Sequence, residues 1–80
     1  MSTAYFLMNV RLNHEIEVIQ EIKKTLENNT MLDYEIQGIL GVYDIILKIT
    51  TKNDDELKHI LLQKIKPINH IQYAMTMMVI

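Results

Sequence analysis

The chain has 80 residues, of which 49% are hydrophobic, with a formal net charge of −2 and no cysteine. That describes one small domain, residues 1–80, too apolar for a disordered chain. No disulfide, thiol nucleophile or cysteine-held metal is open to it. The eight basic residues are scattered, and Asp54, Asp55 and Glu56 precede Lys58, Lys64 and Lys66. Phosphate recognition rests on clustered Lys and Arg, so no direct nucleic-acid contact is expected. Met1 is not followed by a basic segment, an apolar run and a cleavage site, and no stretch approaches membrane-spanning length. The expectation is a cytoplasmic protein with no membrane partner.

Residues 4–12 have strand composition with apolar side chains on both faces, as in a central strand. Asn13 is a fair N-cap for the helix that follows. There Val18, Ile22 and Leu26 recur at helical spacing with Ile19 beside them, while Glu15, Glu17, Glu21, Lys23 and Lys24 face water. Asn28-Asn29-Thr30 ends this helix. From Met31 to Gln37 the pattern alternates, Leu32, Tyr34 and Ile36 against Asp33, Glu35 and Gln37, which marks a half-exposed strand near a rim. Gly38-Ile39-Leu40-Gly41 turns the chain, and Val42 to Thr51 returns with Tyr43, Ile45, Leu47 and Ile49 on one face.

Asn53 opens a second helix with Glu56 three residues on, a capping-box spacing. Leu57, Ile60, Leu61 and Ile65 form its apolar stripe, and Pro67 stops it. The last strand, 71–80, carries Ile71, Tyr73, Met75, Met77 and Val79 on one side. Ala74, Met78 and Ile80 lie on the other with Gln72 and Thr76. The order β-α-β-β-α-β predicts an α+β, ferredoxin-like sandwich of the dimeric α+β barrel type: a four-stranded antiparallel sheet with both helices on one face. The first, third and last strands are apolar on both sides. The face without helices, assigned here Ile46, Ala74 and Met78, therefore needs a cover, and a homodimer packed through its sheets supplies one.

Few residues carry chemistry. His14, His59 and His70 fall in separate elements without metal-ligand spacing, so they read as surface and turn residues and no metal site is expected. Asp54, Asp55 and Glu56 are explained by the positive end of a helix. No Ser-His-Asp arrangement and no glycine-rich phosphate loop is present, and Met75, Met77 and Met78 read as core or interface filling. What remains is Gly41 with Asp44: a glycine turn whose amides stand beside one carboxylate, whose plainest reading is an aspartate bonded to its own turn.

Gly41-Val42-Tyr43-Asp44 at the mouth of a strand, the helix end Ile65-Lys66-Pro67-Ile68, and Ile71 to Ile80 with Thr76 before an apolar run together resemble a known domain. It is the C-terminal effector-binding (RAM) domain of the Lrp/AsnC transcription regulators, and the resemblance spans essentially the whole chain. The family hairpin reads glycine, any residue, Tyr or Phe, then usually Asp, which Gly41, Tyr43 and Asp44 match. Departures fall at Leu40 and Ala74, where hydroxyl residues are common, and at Asn69-His70, where Pro-Gly is common.

The resemblance implies a stand-alone effector domain without the helix-turn-helix, and a homodimer assembling into an octamer or similar ring. It also implies an amino acid or small-metabolite effector bound between dimers, with full-length Lrp/AsnC regulators as further partners. The implied ligand residues are Leu40, Gly41, Val42, Tyr43, Asp44 and Thr76, with no cofactor and no enzymatic activity. Two other readings stay open. One is a small monooxygenase or isomerase of the dimeric α+β barrel type, although Ile45, Leu47, Ile49 and Met75 would fill its cleft and only Tyr34 or Tyr73 could reach inside. The other is a purely structural oligomerisation module.

Overall fold

The computed structural model describes residues 1–29 and 31–80; Thr30, the last residue of the expected helix end, lies outside them. Strand β1 (Ser2–Val10) leads to helix α1 (Glu15–Glu27), then β2 (Asp33–Gly38) and β3 (Ile45–Thr51). Helix α2 (Asp54–His59) runs into a π-helical segment (Ile60–Ile65), and β4 (Ile71–Met78) closes the chain. The four strands form one sheet in the order β2-β3-β1-β4, every pair antiparallel. The expected ferredoxin-like α+β sandwich is the fold, with β1 central and β2 at a rim.

The period-two pattern of the inner strands decides which side is core. In β1 the buried residues are Ala4, Phe6, Met8 and Val10; in β3 they are Ile45, Leu47, Ile49 and Thr51. The helices close over this side with Val18, Ile22 and Leu26 of α1 and Leu57, Ile60, Leu61 and Ile65 of the second helical region. All seven were expected to be buried from helical spacing. Within the π-helical segment the Lys66 N–H reaches back five residues to the Leu61 carbonyl (2.9 Å). The widened turn brings Ile60 and Ile65, also five apart, to the same buried side.

Leu47 is completely enclosed at the centre of this layer. Leu47→Ala is expected to cost about 2–5 kcal/mol, a large share of what a domain of this size has to lose. A denaturation midpoint that falls sharply at constant slope would register it.

Helix starts differ in detail. Asn53 caps α2 as expected, its side-chain oxygen accepting the Glu56 N–H at 2.9 Å. Asn13 does not cap α1. It takes a left-handed conformation (φ 70°), donates its N–H to Glu15 Oε1 (2.8 Å), and leaves the N-cap position to His14. Asparagine tolerates that conformation better than most residues, so the tight turn out of β1 uses it there.

Strand β4 presents the opposite faces to those its alternation implies. Its pairing with β1 sets Met75 opposite Leu7 and Met77 opposite Tyr5, whereas Ala74 faces Met8 and Met78 faces Ala4. Directly opposed residues share a sheet face. Ala74, Thr76 and Met78 are therefore on the helix side, and Tyr73, Met75 and Met77 are on the open side, the reverse of the assignment from alternation. The cause is an extra residue. Tyr73 opposes Asn9 but Ile71 opposes Val10, so Gln72 bulges out and Ile71 joins Ala74 at the core. One inserted residue exchanges the faces of everything beyond it.

The open face thus carries Leu7 and Ile46, half-buried, with Tyr73 (53% exposed), Met75 (38%) and Met77 (47%). Its other end is polar, with Glu35 opposite Lys48 and the Lys48 ammonium 5.9 Å from the Tyr5 ring centre. The apolar end remains the part of this chain that needs a cover.

Candidate functional site

The hairpin between β2 and β3 is closed by the Ile39 N–H donating to the Asp44 carbonyl at 2.8 Å. Leu40, Gly41, Val42 and Tyr43 form the loop inside that closure. Among the described residues, none of these four backbone N–H groups has a hydrogen-bond acceptor. Gly41 adopts φ 153°, where other residues are rarely found, so the turn depends on glycine as expected. A Cβ built there would touch nothing within 4 Å. The hairpin tip is open space, and Leu40 and Val42 stand exposed on it.

Asp44 is anchored to β1 on two sides. Its backbone N–H donates to the Met8 carbonyl (2.9 Å), and its Oδ2 accepts the Val10 N–H (3.0 Å). The ladder between β1 and β3 ends at Met8 opposite Ile45, and the carboxylate supplies the acceptor that the Val10 N–H lacks beyond it. Its partner is therefore a neighbouring strand rather than its own turn amides. Oδ1 has no protein partner among the described residues. Asp44 thus holds the hairpin to the sheet with one oxygen and offers the other.

The strand starts later than its pattern implied, at Ile45 rather than Val42. Tyr43 is released from the alternation, and its ring crosses to the open face. It stacks on Tyr73 with centroids 6.4 Å apart and planes 16° from parallel, its hydroxyl 3.7 Å from Met75 Sδ. Leu40 to Asp44 are thus gathered at one end of the sheet. Thr76 is not with them: it sits on the helix side opposite Phe6, with β1 between it and the hairpin. Within one chain the six expected ligand residues form a group of five and one apart.

The cleft that a barrel-type enzyme would need is filled by side chains. Ile45, Leu47 and Ile49 are completely enclosed, and the buried polar residue beside them is Thr51, whose hydroxyl donates to the Asn53 carbonyl (2.7 Å). Tyr34 packs against the core from the edge strand, Tyr73 is on the open face, and Met75 is there too rather than in the cleft. On the helix side a groove of about 390 Å³ runs between α1 and the turn after the π-helical segment, lined by Glu17, Glu21, Thr25, Lys64 and Pro67 among others.

One group escaped the sequence reading. His14 and His70, distant in the chain, stack on each other beside Glu17. No local spacing encodes this, because the two residues lie in turns brought together by the pairing of β1 with β4. No helix of the described residues is long and apolar enough to cross a membrane.

No family model and no curated protein matches the chain. Solved structures do match it. The crystal structure of FFRP-DM1 is 29% identical, with all of both chains covered and a TM-score of 0.83. A hypothetical protein of Pyrococcus horikoshii, PHS023, is 30% identical over 100% of this chain and 90% of its own, with a TM-score of 0.80. AsnC of E. coli is 22% identical over 99% of this chain and 50% of its own, with a TM-score of 0.79. The glycine hairpin, the sheet order and this full-length agreement lead to one conclusion: the chain belongs to the Lrp/AsnC family.

Proposed function

We propose that this domain is a non-enzymatic sensor that binds an amino acid or related small metabolite between dimers and acts by changing its assembly, alone or together with full-length Lrp/AsnC regulators. The observation that carries the reading is the hairpin tip: four backbone N–H groups, without acceptors among the described residues, beside a carboxylate that uses one oxygen there. Amides receive a carboxylate and a carboxylate receives an ammonium, so the two ends of a free amino acid find opposite partners within one turn. Exposed Leu40 and Val42 supply apolar contact once a second dimer closes over them. Thr76, being on the other side of the sheet, enters such a site from a neighbouring dimer.

A thermal-shift screen over the twenty amino acids and their biosynthetic relatives, run beside light scattering, tests this. A ligand at a hundred times its Kd should stabilise the fold by about 2.7 kcal/mol, and the binding compound should also shift the particle mass. A panel that moves neither at millimolar concentration would leave a structural oligomerisation module as the function.

A further inference from the structure

We infer that His14, Glu17 and His70 form a binding site for a borderline-soft divalent cation, with Zn²⁺ the best fit. The His70 Nε2 lies 3.0 Å from Glu17 Oε2, and the His14 Nδ1 lies 3.5 Å from Glu17 Oε1. One donor atom from each residue falls within a span of 4.8 Å. Zinc takes His nitrogen and carboxylate oxygen at about 2.0–2.2 Å in tetrahedral geometry, so two ligands on one ion stand roughly 3.3–3.6 Å apart. The two approaches to Glu17 are already near that spacing, and side-chain rotation must close the rest of the span. Two neutral imidazoles and one carboxylate are the donor types that such ions prefer over Mg²⁺ or Ca²⁺.

Ordinary hydrogen bonding does not account for the cluster. His70 Nε2 stands 3.0 Å from Glu17 Oε2, whereas His14 Nδ1 is buried with no hydrogen-bond partner among the described residues. The two rings stack at 3.8 Å with planes 20° apart, which holds that nitrogen beside the carboxylate without satisfying it. A cation between the three groups supplies the missing partner.

The donors are also held in place by backbone. The His70 carbonyl accepts the Arg11 N–H (2.9 Å), the His14 N–H donates to the Arg11 carbonyl (3.0 Å), and the His14 carbonyl accepts the Val18 N–H (3.0 Å). His70 is held at φ 76°, a left-handed conformation that few residues other than glycine adopt and that histidine tolerates better than most. The side chains of His14 and His70 are 33% and 17% exposed and Glu17 is 63% exposed, so the site is walled by the rings and open on the carboxylate side. Three protein ligands leave a coordination position for water or for a group from another molecule.

Coordination of one ion by both rings must alter their stacked arrangement. That provides a signature. In tag-free wild-type protein, the imidazole C–H resonances of His14 and His70 should move on addition of Zn²⁺ while those of His59, exposed on α2, stay fixed. Calorimetry should show one ion per chain at micromolar affinity or better, and Co²⁺ should give a visible ligand-field band. Glu17→Gln should weaken binding at least tenfold and His14→Ala with His70→Ala at least a hundredfold, whereas His59→Ala should leave it unchanged. Unmoved His14 and His70 resonances at saturating Zn²⁺, or equal affinity in the double variant, would overturn the assignment. The wild-type resonance measurement decides the matter even if the double variant does not fold.

Discussion

Ile46→Asp is expected to leave the protein monomeric at micromolar concentration, where the proposed sheet-to-sheet dimer would otherwise form. Ile46 lies on the open face of the central pair of strands, opposite Leu7 and close to the row Tyr73, Met75 and Met77. If two sheets close on each other through a two-fold axis, a carboxylate here is buried without a partner, and the symmetry buries two of them. An uncompensated buried charge costs about 3–5 kcal/mol, so each copy weakens association by more than about a hundredfold. Met75→Asp should act the same way. Met78→Asp is the control, because Met78 opposes Ala4 on the helix side, away from the face proposed to meet a second sheet. Light scattering on the three variants separates the outcomes. A wild-type monomer, or an Ile46→Asp protein still dimeric at micromolar concentration, would remove the sheet-to-sheet dimer from the account.

Met78 also shows where sequence patterns stop being sufficient. The elements were legible because their signals are local: two-residue alternation in β2 and β3, three-to-four-residue spacing in α1, an Asn cap and a Pro stop around the second helix. The order of elements then leaves few topologies. Which face of β4 points where is not local information. It depends on the bulge at Gln72, and that bulge exists only because β4 pairs with β1 in one particular register. Alternation in β4 reads equally well with or without the extra residue.

The same distinction runs through the sites. Gly41 was legible as a turn residue because positive φ is a property of the residue itself. The Asp44 contact with the Val10 N–H was not, because it joins two strands far apart in sequence. His14 and His70 were read singly, and each alone is unremarkable in sequence. Only the meeting of the two turns through Arg11 makes them a pair. The Val10 and Arg11 amides, adjacent in the chain, are taken by Asp44 and by His70. The hairpin is thus tied to the last residue of β1 and the histidine cluster to the residue that follows it.

Asp44→Asn is expected to leave the fold nearly intact while weakening effector binding by roughly ten- to a hundred-fold, about 1.5–3 kcal/mol. The asparagine side-chain oxygen can still accept the Val10 N–H, so the strut survives. The negative charge that would hold an ammonium does not. Asp44→Ala removes both functions. It leaves the Val10 N–H without its acceptor beyond the end of the β3 ladder, and an unsatisfied group of that kind costs about 1–3 kcal/mol of stability. The pair of variants therefore separates the two duties of one carboxylate. Chemical denaturation should rank wild type and Asp44→Asn together with Asp44→Ala below them. Calorimetry with the effector found by screening should instead group Asn with Ala, both well below wild type. If Asp44→Asn keeps full affinity, the carboxylate is a strut alone, and the binding charge must come from elsewhere in the assembly.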